Sequence, residues 1–136
     1  MGEEGYPEEI GEVVEHLRPD RIGHGILAAG DAELTRLLAR AGTVLEVCPT
    51  SNLLTGALPD TDAVVETFRR LLAGGVRLTV STDGPEMMRT RLRDEFAFLC
   101  GIGAMTPEEA REANALAHRI SFRAVVEQGR TGAREA

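Results

Sequence analysis

Leu78-Thr79-Val80-Ser81-Thr82-Asp83-Gly84-Pro85 is the stretch from which the fold can be read. A short apolar run rises out of the turn at Gly74-Gly75 and ends in a carboxylate, where a glycine and a proline stop it. It reads as a buried strand of a parallel sheet. Asp83, just past its end, has two readings. It is a turn residue accepting backbone N–H bonds, or a side chain at the carboxyl end of a strand, where the chemistry of α/β proteins gathers.

Working outward, Val44-Leu45-Glu46-Val47 is a second strand ending at Cys48-Pro49, and Arg21-Ile22-Gly23-His24-Gly25 is a shorter one. Between them Asp31 is placed to cap a helix carrying Leu34, Leu37, Leu38 and Ala41, which Gly42 closes. An irregular loop through Ser51, Asn52, Gly56 and Pro59 leads to a helix from Thr61, with Val64, Phe68, Leu71 and Leu72 on its inner face. The first helix opens at Pro7 with Ile10, Val13, Val14 and Leu17 as its stripe, leaving His16 in solvent. Downstream of Pro85, Leu92, Phe96 and Leu99 mark one helix, Thr106-Pro107-Glu108-Glu109 is a capping box for another, and Phe122 to Val126 forms a last short one.

Strands alternating with helices predict a parallel α/β sheet. A closed (β/α)8 barrel needs about 250 residues. The chain has 136 and reads as a partial (β/α)8 TIM barrel, about the last three β–α units plus C-terminal helices. Residues 1–127 form this unit, and 128–136, without a large apolar residue, form a frayed tail. The open sheet edges predict self-association or pairing with a missing N-terminal barrel part.

A composition of 43% hydrophobic and 27% charged residues suits a soluble globular protein. The net charge of −7 argues against a nucleic-acid partner. No apolar run has the length to cross a membrane, and the acidic start is unlike a signal peptide, so a cytoplasmic location is expected. Cys48 and Cys100 read as small buried hydrophobes.

Glu3, His24, Asn52 and Asp83 fall on the C-terminal side of successive elements. Each alone has a plain reading: Glu3 as solvated surface, His24 as a satisfied core histidine, Asn52 as an Asx-type loop residue. Together they carry a resemblance. Gly2-Glu3, Arg21-Ile22-Gly23-His24-Gly25, Glu46-Val47-Cys48-Pro49-Thr50-Ser51-Asn52 and Ser81-Thr82-Asp83-Gly84-Pro85 resemble, in order and spacing, the last motif blocks of the adenosine deaminase family. Asn114-Ala115 and Ser121-Phe122 resemble its C-terminal helices.

The resemblance implies a zinc-dependent (β/α)8 aminohydrolase that deaminates a 6-aminopurine nucleoside. Glu3 matches the glutamate of a His-Ala-Gly-Glu block, which protonates purine N1. His24 matches the histidine that orients the attacking hydroxide, and Asp83 matches a zinc ligand. The family's His-x-His pair and the opening histidine of the Glu3 block have no counterpart here, with Met1 at the alanine position. Catalytic zinc normally has three protein ligands, so this isolated chain is expected neither to retain zinc nor to deaminate. A non-catalytic partial-barrel association module is the alternative. Gly84 stands where typical members carry a second aspartate that hydrogen-bonds purine N7, so it is a substrate-binding position. Asp83-Gly84-Pro85-Glu86-Met87 resembles the branch acting on 6-aminodeoxyfutalosine in menaquinone biosynthesis, with Met87 and Met88 lining the pocket.

Overall fold

In the computed structural model, which describes residues 1–3 and 5–122, Ile10 and Val14 bury one stripe of α1 (Pro7–Leu17). Pro7 sits in its first turn, and Arg18 ends it in left-handed backbone. Strand β1 (Arg21–Gly23) is followed by a 3₁₀ turn over Ile26–Gly30. Asp31 accepts the N–H groups of Glu33 and Leu34 and so starts α2 (Ala32–Ala41). After β2 (Val44–Val47) come α3 (Pro49–Leu54) and α4 (Thr61–Ala73), the latter capped by Asp60. Strand β3 (Arg77–Val80) leads to α5 (Pro85–Met88), α6 (Leu92–Gly101) and α7 (Pro107–Arg119). The capping box that opens α7 is complete, with Thr106 and Glu109 bonded reciprocally.

The strands form one parallel sheet in the order β1-β2-β3. Ile22 lies opposite Leu45, Leu45 opposite Leu78, and Val47 opposite Val80. Val44, Leu45 and Val47 of the middle strand are buried, and Ile10, Leu38, Phe68, Leu71 and Leu99 complete the core around them. Truncating a wholly buried ring such as Phe68 to alanine costs about 3–5 kcal/mol, so this packing dominates the fold's stability. No described helix is long and apolar enough to cross a membrane.

Several expectations need correction. The segment expected as a loop through Ser51 and Asn52 is helical, with Pro49 in its first turn. The strand expected to reach Asp83 ends at Val80, and the one expected to reach Gly25 ends at Gly23, so His24 and Asp83 both stand beyond their strands. Leu17, in the last turn of α1, is 73% exposed because the core has already passed beneath Val14. Leu92 is also exposed, and Cys100 is only half-buried. The short helix expected from Phe122 to Val126 and the tail fall outside the described residues beyond Phe122.

Backbone contacts place the N-terminal segment beside the end of β1. The Gly25 N–H donates to the Met1 carbonyl at 2.9 Å and the Leu27 N–H to the Gly2 carbonyl at 3.0 Å. Gly2 has φ 70, and a Cβ there would come within 2.6 Å of Ile10 Cδ1 and 2.9 Å of Gly25 Cα. Only glycine fits this approach, which carries Glu3 to the mouth of the sheet.

Candidate active site

His24 and Asp83 share an unusual backbone. Four described non-glycine residues have positive φ, and two of them, Arg18 and Arg89, are helix C-caps. The other two are His24 at 61° and Asp83 at 59°. Such residues are uncommon, histidine and aspartate being among the more tolerant, and they concentrate where a function over-determines the backbone. The His24 N–H is held by the Glu46 carbonyl at 2.9 Å, one step beyond the β1–β2 ladder. The Ser81 N–H is held likewise by Val47 at 2.9 Å.

Glu3, His24 and Asn52 meet at one point from three separate segments. Asn52 Nδ2 donates to Glu3 Oε1 at 2.6 Å and lies 3.1 Å from His24 Nδ1. Glu3 Oε1 and His24 Nδ1 are 3.3 Å apart. An amide N–H given to Nδ1 makes that nitrogen an acceptor, so the neutral ring carries its proton on Nε2. The amide orientation follows from its neighbours, because an oxygen in place of Nδ2 would face a carboxylate oxygen. Asn52 is completely buried, and its Oδ1 has no partner among the described residues. An open cleft of about 420 Å³ lined by Met1, Gly2, Glu3, Thr55 and Ala57 lies against the triangle.

Asp83 belongs to an adjoining cluster. Ser51 Oγ donates to Asp83 Oδ2 at 2.8 Å, and no bond joins Asp83 directly to Glu3 or His24 among the described residues. The two clusters are connected through α3, which carries both Ser51 and Asn52. The Cys48 thiol feels both. Burial first, then the Asp83 carboxylate, with smaller effects from Glu3 and Glu95, push it up to about 11 against an opposing hydrogen bond from Ser81.

Among the described residues, no three His, Cys, Asp or Glu side chains converge to hold a metal ion. Asp83 is a single carboxylate with one oxygen already engaged by Ser51. These donors do not make up a catalytic zinc site, which takes at least three protein ligands. Gly84 has φ −106, and a Cβ there would meet Met87 at an ordinary 3.7 Å. Neither its backbone nor its surroundings require glycine, so its effect is the missing side chain. Met87 is 82% exposed and Met88 half-buried.

Two participants escaped the sequence reading. Ser51 lies beside Asn52 in the Glu46–Asn52 motif, but its bond to Asp83 spans 32 residues. Glu95 is wholly buried. Its spacing from Leu92 and Leu99 puts a charge on an apolar stripe, and that was the available signal.

A sequence profile described as adenosine deaminase matches residues 1–130. An adenine deaminase of Rhizobium rhizogenes is 45% identical over 87 residues, covering 64% of this chain and 26% of the relative. An aminodeoxyfutalosine deaminase of Acidothermus cellulolyticus is 45% identical over 92 residues, covering 68% of this chain and 25% of the relative. The chain thus spans about a quarter of the length of these curated relatives. The crystal structure of an adenine deaminase from Arthrobacter aurescens superposes with a TM-score of 0.79 at 28% identity, over 93% of this chain and 39% of that one. The fold is therefore that of part of a deaminase barrel.

Proposed function

The chain belongs to the adenosine deaminase family, and on that premise we propose that it forms the part of a hydrolytic 6-aminopurine deaminase that supplies the proton donor and the water-orienting histidine. One observation carries the reading: the contact of Glu3, His24 and Asn52, brought together from segments far apart in sequence.

In this reading the water oxygen bonds to purine C6 while the Glu3 proton passes to ring N1. One water proton then passes to the C6 amino group, the C6–N bond breaks and ammonia leaves. The second water proton returns to the Glu3 carboxylate as the C6–oxygen double bond forms, leaving a 6-oxopurine protonated at N1. His24, its Nδ1 occupied by Asn52, offers Nε2–H to orient the incoming water. Asn52 keeps the Glu3 carboxyl beside the ring and leaves the reaction unchanged itself. Asp83 would serve as one metal-ligating carboxylate, with the remaining donors supplied by a complementary barrel part. Alone, this chain neither retains zinc nor turns over substrate, and its two open strand edges favour association with a second copy or with a complementary barrel part. Its working compartment is the cytoplasm.

The missing side chain at Gly84 favours a nucleoside with a bulky 5′ substituent, 6-aminodeoxyfutalosine, over plain adenosine, in keeping with the Acidothermus relative's name. The names of the Rhizobium and Arthrobacter relatives favour free adenine as a second reading. A chimera decides: residues 1–122 replace the matching segment of the Acidothermus enzyme, and ammonia release is measured on all three substrates. Hydrolysis of 6-aminodeoxyfutalosine is expected to dominate and to fall about 10²–10⁴-fold with Glu3→Gln. A folded chimera whose activity ignores Glu3→Gln would overturn the proton-donor role. A preference for adenine or adenosine would overturn the substrate assignment.

A further inference from the structure

Glu95 is a completely buried carboxylate in α6 with no salt bridge to a cation among the described residues. Its Oε2 accepts the Thr50 N–H at 3.1 Å, and its Oε1 accepts the Thr90 hydroxyl at 2.7 Å. Burying a carboxylate without a counter-charge is costly, and an apolar side chain would serve the core between α6 and the sheet better. Its partners indicate the reason for its presence.

Thr50 lies in the first turn of α3, whose opening N–H groups get no side-chain cap from Cys48. Glu95 provides that acceptor from 45 residues away. Thr90 closes the segment that follows Asp83 and α5. A single carboxylate therefore ties the helix carrying Ser51 and Asn52 to the connection that emerges from Asp83.

We propose that Glu95 is a positioning residue, which fixes α3 against the segment after β3 so that Ser51 meets Asp83 while Asn52 meets Glu3 and His24. The inference rests on the proposed function for its relevance to catalysis, but its content is geometric. Loss of Glu95 frees α3 to shift, and both clusters lose register together, because Ser51 and Asn52 are neighbours on one short helix.

The test uses this chain uniformly labelled with ¹⁵N, comparing wild type, Glu95→Ala, Glu95→Gln and Thr90→Val. Glu109→Ala serves as a control, since it removes the acceptor of the Thr106 N–H in the α7 capping box and the Arg69 bond elsewhere. In Glu95→Ala the Thr50 amide is expected to exchange at least about tenfold faster, with the His24 ring and Asn52 side-chain signals displaced. Glu95→Gln, which keeps one acceptor oxygen, should fall between, and Thr90→Val should show a smaller displacement of the same sign. Glu109→Ala should lower Tm and leave those signals in place. Unmoved His24 and Asn52 signals in the Glu95 variants, or equal displacement in Glu109→Ala, would overturn the proposal. If Glu95→Ala does not fold, Glu95→Gln and Thr90→Val decide. Failure of the chimera to deaminate, with these displacements present, would count against the proposed function alone.

Discussion

Replacing Asn52 by aspartate changes the triangle's chemistry while leaving its shape. The two side chains are nearly isosteric, so no cavity is opened and the packing of α3 is untouched. The donor that stood 2.6 Å from Glu3 Oε1 and 3.1 Å from His24 Nδ1 becomes an acceptor. Losing a hydrogen bond to a carboxylate costs about 1.5–3 kcal/mol. Two carboxylate charges 2.6 Å apart repel by at most about 6 kcal/mol at an effective dielectric of about 20. Proton uptake relieves part of that repulsion, so we expect Asn52→Asp to lose about 3–5 kcal/mol near pH 8, or about 12–20 °C in Tm. The sign with pH follows from linkage. A carboxylate pair binds a proton more tightly folded than unfolded, so the variant approaches wild type below about pH 4 and falls away as pH rises through the pair's folded value. Thermal melts of both proteins from pH 4 to 8 supply the test. If the Tm difference stays constant within about 2 °C over that range, the three side chains do not share one polar site.

Further outcomes follow from other parts of the structure. With its thiol pushed up to about 11 by burial and then by Asp83, Cys48 has a thiolate fraction of about a thousandth at pH 8. Cys100 should therefore alkylate first, and equal rates in the folded chain would contradict this. The raised thiol value also means that its share of stability is whole below about pH 9 and is lost as pH climbs through about 11, a loss that Cys48→Ser should abolish in alkaline melts. Thr106→Ala removes the 3.1 Å bond to the Glu109 N–H and should cost about 1 kcal/mol, or about 4 °C. The backbone N–H of Thr106, ahead of Arg69, holds the Glu109 carboxyl below its ordinary value. That stabilisation is present above the unfolded value and disappears as pH falls through the folded one, so Glu109→Gln should flatten the acid limb of the melt. Dialysis of the chain against zinc followed by metal analysis should leave less than one equivalent, and one tightly held zinc per chain would show a donor set not recognised here.

Local signals were strong for most of this fold. Pro7, Asp31 and the Thr106–Glu109 box announce helix starts from residues within the first turn, and those helices formed where the pattern put them. Helix α3 was missed because Pro49-Thr50-Ser51-Asn52 has turn composition, and its start depends on an acceptor contributed by Glu95. Leu17 was assigned inward by spacing alone, although exposure at a helix end depends on where the partner stops. At the site, the resemblance singled out Glu3, His24 and Asp83. Chemistry by itself would have left Glu3 on the surface, because its placement depends on the Gly2–Gly25 approach. The bridging role of Asn52 was invisible for the same reason as α3: its partners are 28 and 49 residues away.

The left-handed backbone at His24 and Asp83 filters what evolution or a designer can place there before any chemistry is tested. Glycine, asparagine, aspartate and histidine enter such a conformation at little expense, whereas a longer or β-branched replacement carries an added conformational penalty of about 1–3 kcal/mol. Swapping Asp83 for glutamate or His24 for glutamine would thus confound two effects in one measurement. A saturation library at these two positions should be ranked against backbone preference first, with only the residual variation credited to reactivity.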